Sequence, residues 1–79
     1  MPRVLTIQGY IFYFFAADCA ERAHMHVKKG GANGKIWIQP EIEVFYLKGF
    51  KQKEKRQLLK LAEENIAQLT EYWNAYCNN

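Results

Sequence analysis

The spacing of apolar positions changes once along this chain, near residue 50. Before that point apolar side chains alternate or run together over short segments; after it they recur at steps of three and four. "VLTI" (4–7) and "YIFYFFA" (10–16) flank Gln8-Gly9. Such β-branched and aromatic runs around a two-residue link ending in glycine predict a β-hairpin. In the second run Tyr10, Phe12 and Phe14 fall on one side and Ile11, Tyr13 and Phe15 on the other. Both sides are apolar, which predicts a central strand covered on both faces, one of them by a partner if not by this chain. "ADCAERA" (17–23) reads as a polar connection. "HMHVKK" and "KIWIQ" flank the glycine-rich "GGANG" and predict a second hairpin, and "EIEVFYL" (41–47) after Pro40 alternates as a further strand. From Gln52 onward Leu59, Ala62, Ile66, Leu69, Trp73 and Tyr76 mark an amphipathic helix, with Leu58 and Tyr72 widening its stripe. No Pro or Gly interrupts 51–77, so one long helix is the simplest reading, with Asn65 the place where it would break. The prediction is an α+β fold in one domain, residues 1–79: an antiparallel sheet of four to five strands, two hairpins plus one strand, packed by a long C-terminal amphipathic helix.

Composition supports a packed core, because 49% of the 79 residues are hydrophobic and 15% aromatic, well above what a disordered chain carries. A domain this small buries only about 60% of its unfolded-chain surface, so an obligate partner or a homodimer is a natural way to complete it. Cys19 and Cys77 show no ligand spacing. Two cysteines are too few for a disulfide framework, so the expectation is two reduced thiols in the cytosol, with a single end-to-end bridge as the alternative. Arg3 ahead of "YIFYFFAADCA" loosely mimics a secretion signal, but Gln8 and Gly9 interrupt it and the apolar run is short. No stretch approaches the ~20 apolar residues of a membrane-spanning helix, so a soluble cytoplasmic protein with no membrane partner is expected.

Chemistry concentrates on the second hairpin. Strand alternation puts His24, His26 and Lys28 on one side and Met25 and Val27 on the other; in the next strand Ile36 and Ile38 oppose Lys35, Trp37 and Gln39. The economical register buries Met25, Val27, Ile36 and Ile38 and gathers His24, His26, Lys28, Lys35 and Trp37 on the other face, with Glu41 and Glu43 able to join its rim. Histidines two apart on a strand are roughly 6–7 Å apart. That spacing lets one act as general base and the other as general acid on a phosphodiester, with Lys28 or Lys35 stabilising the oxyanion. Trp37 would stack a base. If the protein is an enzyme, it is therefore a ribonuclease-like phosphodiesterase that needs no cofactor. A metal clamp by His24 and His26 requires a third ligand, and Asp18, Cys19, Glu41, Glu43 and Cys77 show no diagnostic spacing, so no metal site is assigned. The plain alternative is two histidines on a solvated strand. "GGANG" resembles a phosphate loop, but such loops lead into helices and a strand follows here.

Net charge is +3, unevenly placed: residues 48–60 carry +5 and residues 61–79 carry −3. Cations at a helix start oppose its macrodipole. Lys51, Lys53, Lys55 and Arg56 are accordingly candidates for phosphate binding at that end, against the bland reading of a solvated face or an acidic protein surface.

Read end to end, the chain resembles a small, mostly bacterial family, domain of unknown function 4160. Met1, Pro2, Val4, Ile7, Gly9, Tyr10 and Phe12 match its opening pattern; His24, His26 and Val27 match its central H-x-H-V. Lys35, Trp37 and Pro40, the Gly49-Phe50 pair, and Trp73-Asn74 match the rest in order. Members often carry prolines where this chain has Arg22 and Ala23, and Ser or Thr where it has Lys51, a poor N-cap. The resemblance implies a short soluble protein of the toxin–antitoxin type, encoded beside another small protein; it brings no established catalytic residues. The expected function is a toxin-like component neutralised by a small antitoxin-like protein and acting on RNA. A non-catalytic module binding a small partner chain is the alternative, and a small metal-binding protein the third.

Overall fold

The computed structural model describes residues 3–77; Met1 and Pro2, which open the family pattern, lie outside the described residues. Five strands, β1 (Arg3–Ile7), β2 (Tyr10–Tyr13), β3 (His24–Lys29), β4 (Ala32–Trp37) and β5 (Glu43–Lys48), form one antiparallel sheet in chain order. A 3₁₀ turn, η1 (Ala16–Ala20), lies between β2 and β3, and two helices, α1 (Gln52–Glu64) and α2 (Ile66–Cys77), follow the sheet. The α+β architecture read from the sequence stands, with details changed at four places.

The first hairpin closes on Gln8 and Gly9, both at positive φ (51° and 86°), as a type I′ link requires. Gln8 accepts this unusual conformation while its Oε1 takes a 2.7 Å hydrogen bond from Gln57 Nε2, tying the turn to α1. The second hairpin turns at Gly30-Gly31 alone, rather than through the whole of "GGANG". Gly34 lies inside β4, opposite Val27 on one side and Leu47 on the other. A Cβ there would meet Leu47 Cδ2 at 2.5 Å and the Tyr46 carbonyl oxygen at 2.7 Å, so only glycine lets the two strands approach.

The helical segment divides at Asn65 rather than running through. Its φ and ψ (−113°, 18°) leave the helical region, and its Nδ2 donates 2.8 Å to the Leu61 carbonyl oxygen at the end of α1. Asparagine competes in this way with the backbone ladder. Leu69 N–H bonds to the Asn65 carbonyl, so the same residue starts α2. The bend allows Leu58, Leu61 and Ala62 of α1 and Leu69 and Trp73 of α2 all to reach one core with Tyr10, Phe12, Phe14, Met25, Val27, Ile36 and Ile38. Tyr72 and Tyr76, expected in that stripe, are half exposed (48% and 49%).

The expectation of free thiols is overturned. Cys19 of η1 is disulfide-bonded to Cys77 at the end of α2, and no cysteine is free among the described residues. The segment expected to be a featureless connection is thereby a short turn fastened to the last helix. Among the described residues no helix is long and apolar enough to cross a membrane.

Candidate functional site

Both helices pack on the face of the sheet that carries Tyr10, Phe12, Met25, Val27 and Ile36. The register Tyr13↔His26↔Lys35↔Tyr46 runs across the opposite, open face, with His24↔Trp37 beside it. The sheet therefore aligns His26, Lys28, Lys35 and Trp37 as the alternation predicts. A register shift between Lys35 and Ile36 places an extra β5 residue, Tyr46, on that face. Phe45 follows Glu43 onto it, and its ring meets Trp37 at 5.5 Å. Lys35 Nζ lies 4.8 Å from the Trp37 ring centroid and 5.1 Å from that of Phe45. The Arg22 guanidinium covers Trp37 at 5.1 Å, and Lys28 Nζ stands 5.5 Å from the Tyr13 ring. Arg22 also pairs with Glu43 Oε1 at 2.6 Å and donates to the Gln39 carbonyl, so Glu43 joins the rim as expected. Lys35 bonds Glu21 Oε1 at 2.7 Å and holds that carboxyl below its ordinary pKa.

His24 departs from the expectation. It shares a register with Trp37, yet it is fully buried, because α2 and η1 close over that end of the sheet. Its ring lies 5.5 Å from Trp37, 5.2 Å from Trp73 and 5.2 Å from His26. The Nδ1–H donates 2.8 Å to the Arg22 carbonyl oxygen. A carbonyl can only accept, so Nδ1 carries a proton, and whenever the ring is singly protonated Nε2 presents a lone pair. Nε2 has no hydrogen-bond partner among the described residues and lies 3.5 Å from Asp18 Oδ1. His26, one-fifth exposed, places Nε2 3.0 Å from Asp18 Oδ2 and stacks on Tyr13 at 5.2 Å. Two histidines straddling a phosphate in solvent is thus not the geometry found: only His26 has access, and both rings turn inward to one carboxylate.

Asp18 is the residue whose place sequence spacing did not reveal. η1 positions it: Oδ2 accepts the Phe15 N–H at 2.8 Å. Burial pushes its pKa up, but the Phe15 hydrogen bond and the two imidazoles outweigh that and hold the carboxyl below its ordinary value. Ligand atoms of Asp18, His24 and His26 all lie within 4.8 Å of one another. The signal for this convergence was the neighbouring Cys19, whose bond to Cys77 fixes η1. Tyr13, opposite His26, has its phenol pKa raised by burial, then by Tyr46 and Asp18.

The basic residues of α1 form a separate feature. Lys53 and Arg56 line a groove of about 370 Å³ with Gln8, Gln57, Lys60, Leu61 and Glu64. Lys51 precedes the helix, where Glu54 Oε1 accepts its N–H at 2.8 Å and supplies a carboxylate to the helix start. Lys55 is not on the groove wall. With α1 on the helical face of the sheet, these cations are not on the open face that holds Lys28 and Lys35.

The protein is thus a small two-layer α+β domain with a pair of histidines on β3. Residues 9–74 match the family model for Domain of unknown function (DUF4160), and the chain belongs to that family. No curated protein and no solved structure matches the chain.

Proposed function

We propose that this protein is the toxin-like member of a bacterial toxin–antitoxin pair and that it binds single-stranded RNA on its open sheet face. The observation that carries the reading is the Trp37–Phe45 ring pair with Lys35 Nζ within about 5 Å of both, on the side of the sheet opposite Met25 and Ile36. The exposed Phe45 ring and the partly buried Trp37 beside cations suit unpaired bases, which stack with little regard to sequence while their phosphates meet the lysines. Cleavage, where it follows binding, falls to the Asp18–His24–His26 group, which borders the face through His26.

Induced expression without a partner protein tests the toxin reading: wild type arrests growth, and a well-expressed, folded protein that leaves growth unchanged ends it. Fluorescence anisotropy with labelled single-stranded RNA tests the other half. Trp37→Ala and Phe45→Ala each weaken binding by about 1–3 kcal/mol, the value of one stacked base. An RNA target places the protein in the cytoplasm, where thiols are kept reduced, and the Cys19–Cys77 bond stands against that placement. Alkylation in freshly lysed cells decides it: an intact bond moves the protein to an oxidising compartment and ends the RNA reading.

A non-catalytic interaction module is the second reading. It is favoured by β5, an edge strand with Val44, Phe45 and Tyr46 exposed by 46%, 59% and 43%. Such an edge can accept a strand from a small antitoxin-like chain or a second copy. A stable complex lost on Phe45→Ala, with no RNA binding, selects this reading.

A further inference from the structure

We propose that Asp18, His24 and His26 form a binding site for a divalent first-row transition-metal ion. The first support is an arrangement that is unfavourable without a cation. His24 Nε2 is fully buried, carries a lone pair in the singly protonated ring, and has no hydrogen-bond donor facing it among the described residues. What it faces is a carboxylate oxygen at 3.5 Å, another acceptor. A positive ion between the two converts repulsion into coordination and satisfies a buried nitrogen that otherwise costs desolvation.

Distances agree with a shared ion. Ligands about 2.0–2.1 Å from a tetrahedral zinc are about 3.3 Å apart. The two histidine-to-carboxylate separations are 3.5 and 3.0 Å, and the widest separation in the trio, at most 4.8 Å, closes with small side-chain rotations.

The surroundings have the features of a metal site. Ligating histidines hand their other ring N–H to a backbone carbonyl, as His24 does to Arg22, and an apolar wall limits water. Trp37 and Trp73 form that wall. Since Cys19 and Cys77 are bonded to each other, the donor set is nitrogen and oxygen only, which suits zinc, iron or manganese rather than a thiolate site. Three protein ligands leave a position for water, and one-fifth-exposed His26 opens it toward the free face.

The assignment does not depend on the RNA reading, since metal uptake is measured without nucleic acid. The experiment uses the full chain, stripped with chelator and kept non-reduced, titrated with Zn²⁺ by calorimetry and with Co²⁺ by tryptophan emission. The expected result is one ion per chain and strong quenching by Co²⁺, because the only two tryptophans in the sequence both flank His24. Asp18→Asn, which keeps an acceptor for Phe15, and His26→Ala each weaken binding at least tenfold, while Glu71→Gln leaves it unchanged. Should either site variant lose its fold, ¹⁵N spectra of the wild-type histidine rings decide, because Zn²⁺ must shift Nε2 of both. No stoichiometric uptake, uptake indifferent to both folded variants, or unshifted Nε2 signals would overturn the proposal.

Discussion

Cys19 and Cys77, separated by 58 positions, are bonded across a Cα distance of 5.3 Å and fasten η1 to the last turn of α2. η1 buries no residue fully, so packing alone holds it weakly. Closing a loop of this length lowers the entropy of the unfolded chain by the equivalent of about 4 kcal/mol in the loop-entropy model. Urea unfolding of the oxidised protein against Cys19→Ser/Cys77→Ser measures it. A loss of about 2–4 kcal/mol is expected, and equal midpoints would show that η1 is held by other means.

The close pairing of β4 with β5 depends on a missing side chain. Gly34→Ala drives a methyl group against the Tyr46 carbonyl, which is backbone and has no rotamer to escape into. Overpacking of this kind costs about 1–3 kcal/mol. Denaturant midpoints should fall accordingly, with the Val27 and Leu47 amides exchanging faster; an unchanged midpoint would contradict the register Val27↔Gly34↔Leu47.

What the sequence reveals and what it hides follow from the range of each interaction. Alternation is local, so the burial of Met25, Val27, Ile36 and Ile38 and the common face of His26, Lys35 and Trp37 were readable from spacing. Asn65 could be named as a breaking point because its side chain bonds a carbonyl only four residues back. The fate of His24 was not readable: its burial depends on Trp73, 49 positions away, and on η1 being held by Cys77. For the same reason Asp18 showed no ligand spacing, since His24 and His26, six and eight positions on, meet it only after the chain folds back through η1. Phe45 follows Glu43 onto the open face at period two, but Tyr46 joins it opposite Lys35 only through a register irregularity, which period-two counting cannot anticipate.

Tyr10 supplies a pH dependence at the alkaline end. Its side chain is fully buried and donates to Gln57 Oε1 at 3.0 Å; burial first, and Glu54 second, push its pKa above the ordinary phenol value. The folded protein thus holds this proton more tightly than the unfolded chain. Stability from this source is fully present below pH ~10, the unfolded value, and falls as pH rises toward the folded value. Tyr10→Phe should lose about 0.5–1.5 kcal/mol at neutral pH with the hydrogen bond, yet decline less steeply above pH ~10. Lysine deprotonation is common to both proteins and cancels in the comparison. Parallel curves from pH 7 to 11 would refute the assignment.

Two cationic regions compete for any RNA that binds, and salt dependence separates them. Lys28 and Lys35 stand among the rings of the open face, whereas Lys53 and Arg56 line the α1 groove on the helical side. Each phosphate contact with single-stranded RNA contributes about 0.7 to the slope of log K against log salt, through counterion release. Lys28→Gln and Lys35→Gln should each reduce the slope by up to that amount, and Lys53→Gln/Arg56→Gln should leave it within error. Glutamine retains part of the aliphatic stem, so the change reports charge more than packing. The reverse pattern would move the nucleic acid to the groove and leave the aromatic face to a protein partner. In that case Trp37→Ala and Phe45→Ala would weaken the protein complex while leaving RNA affinity intact.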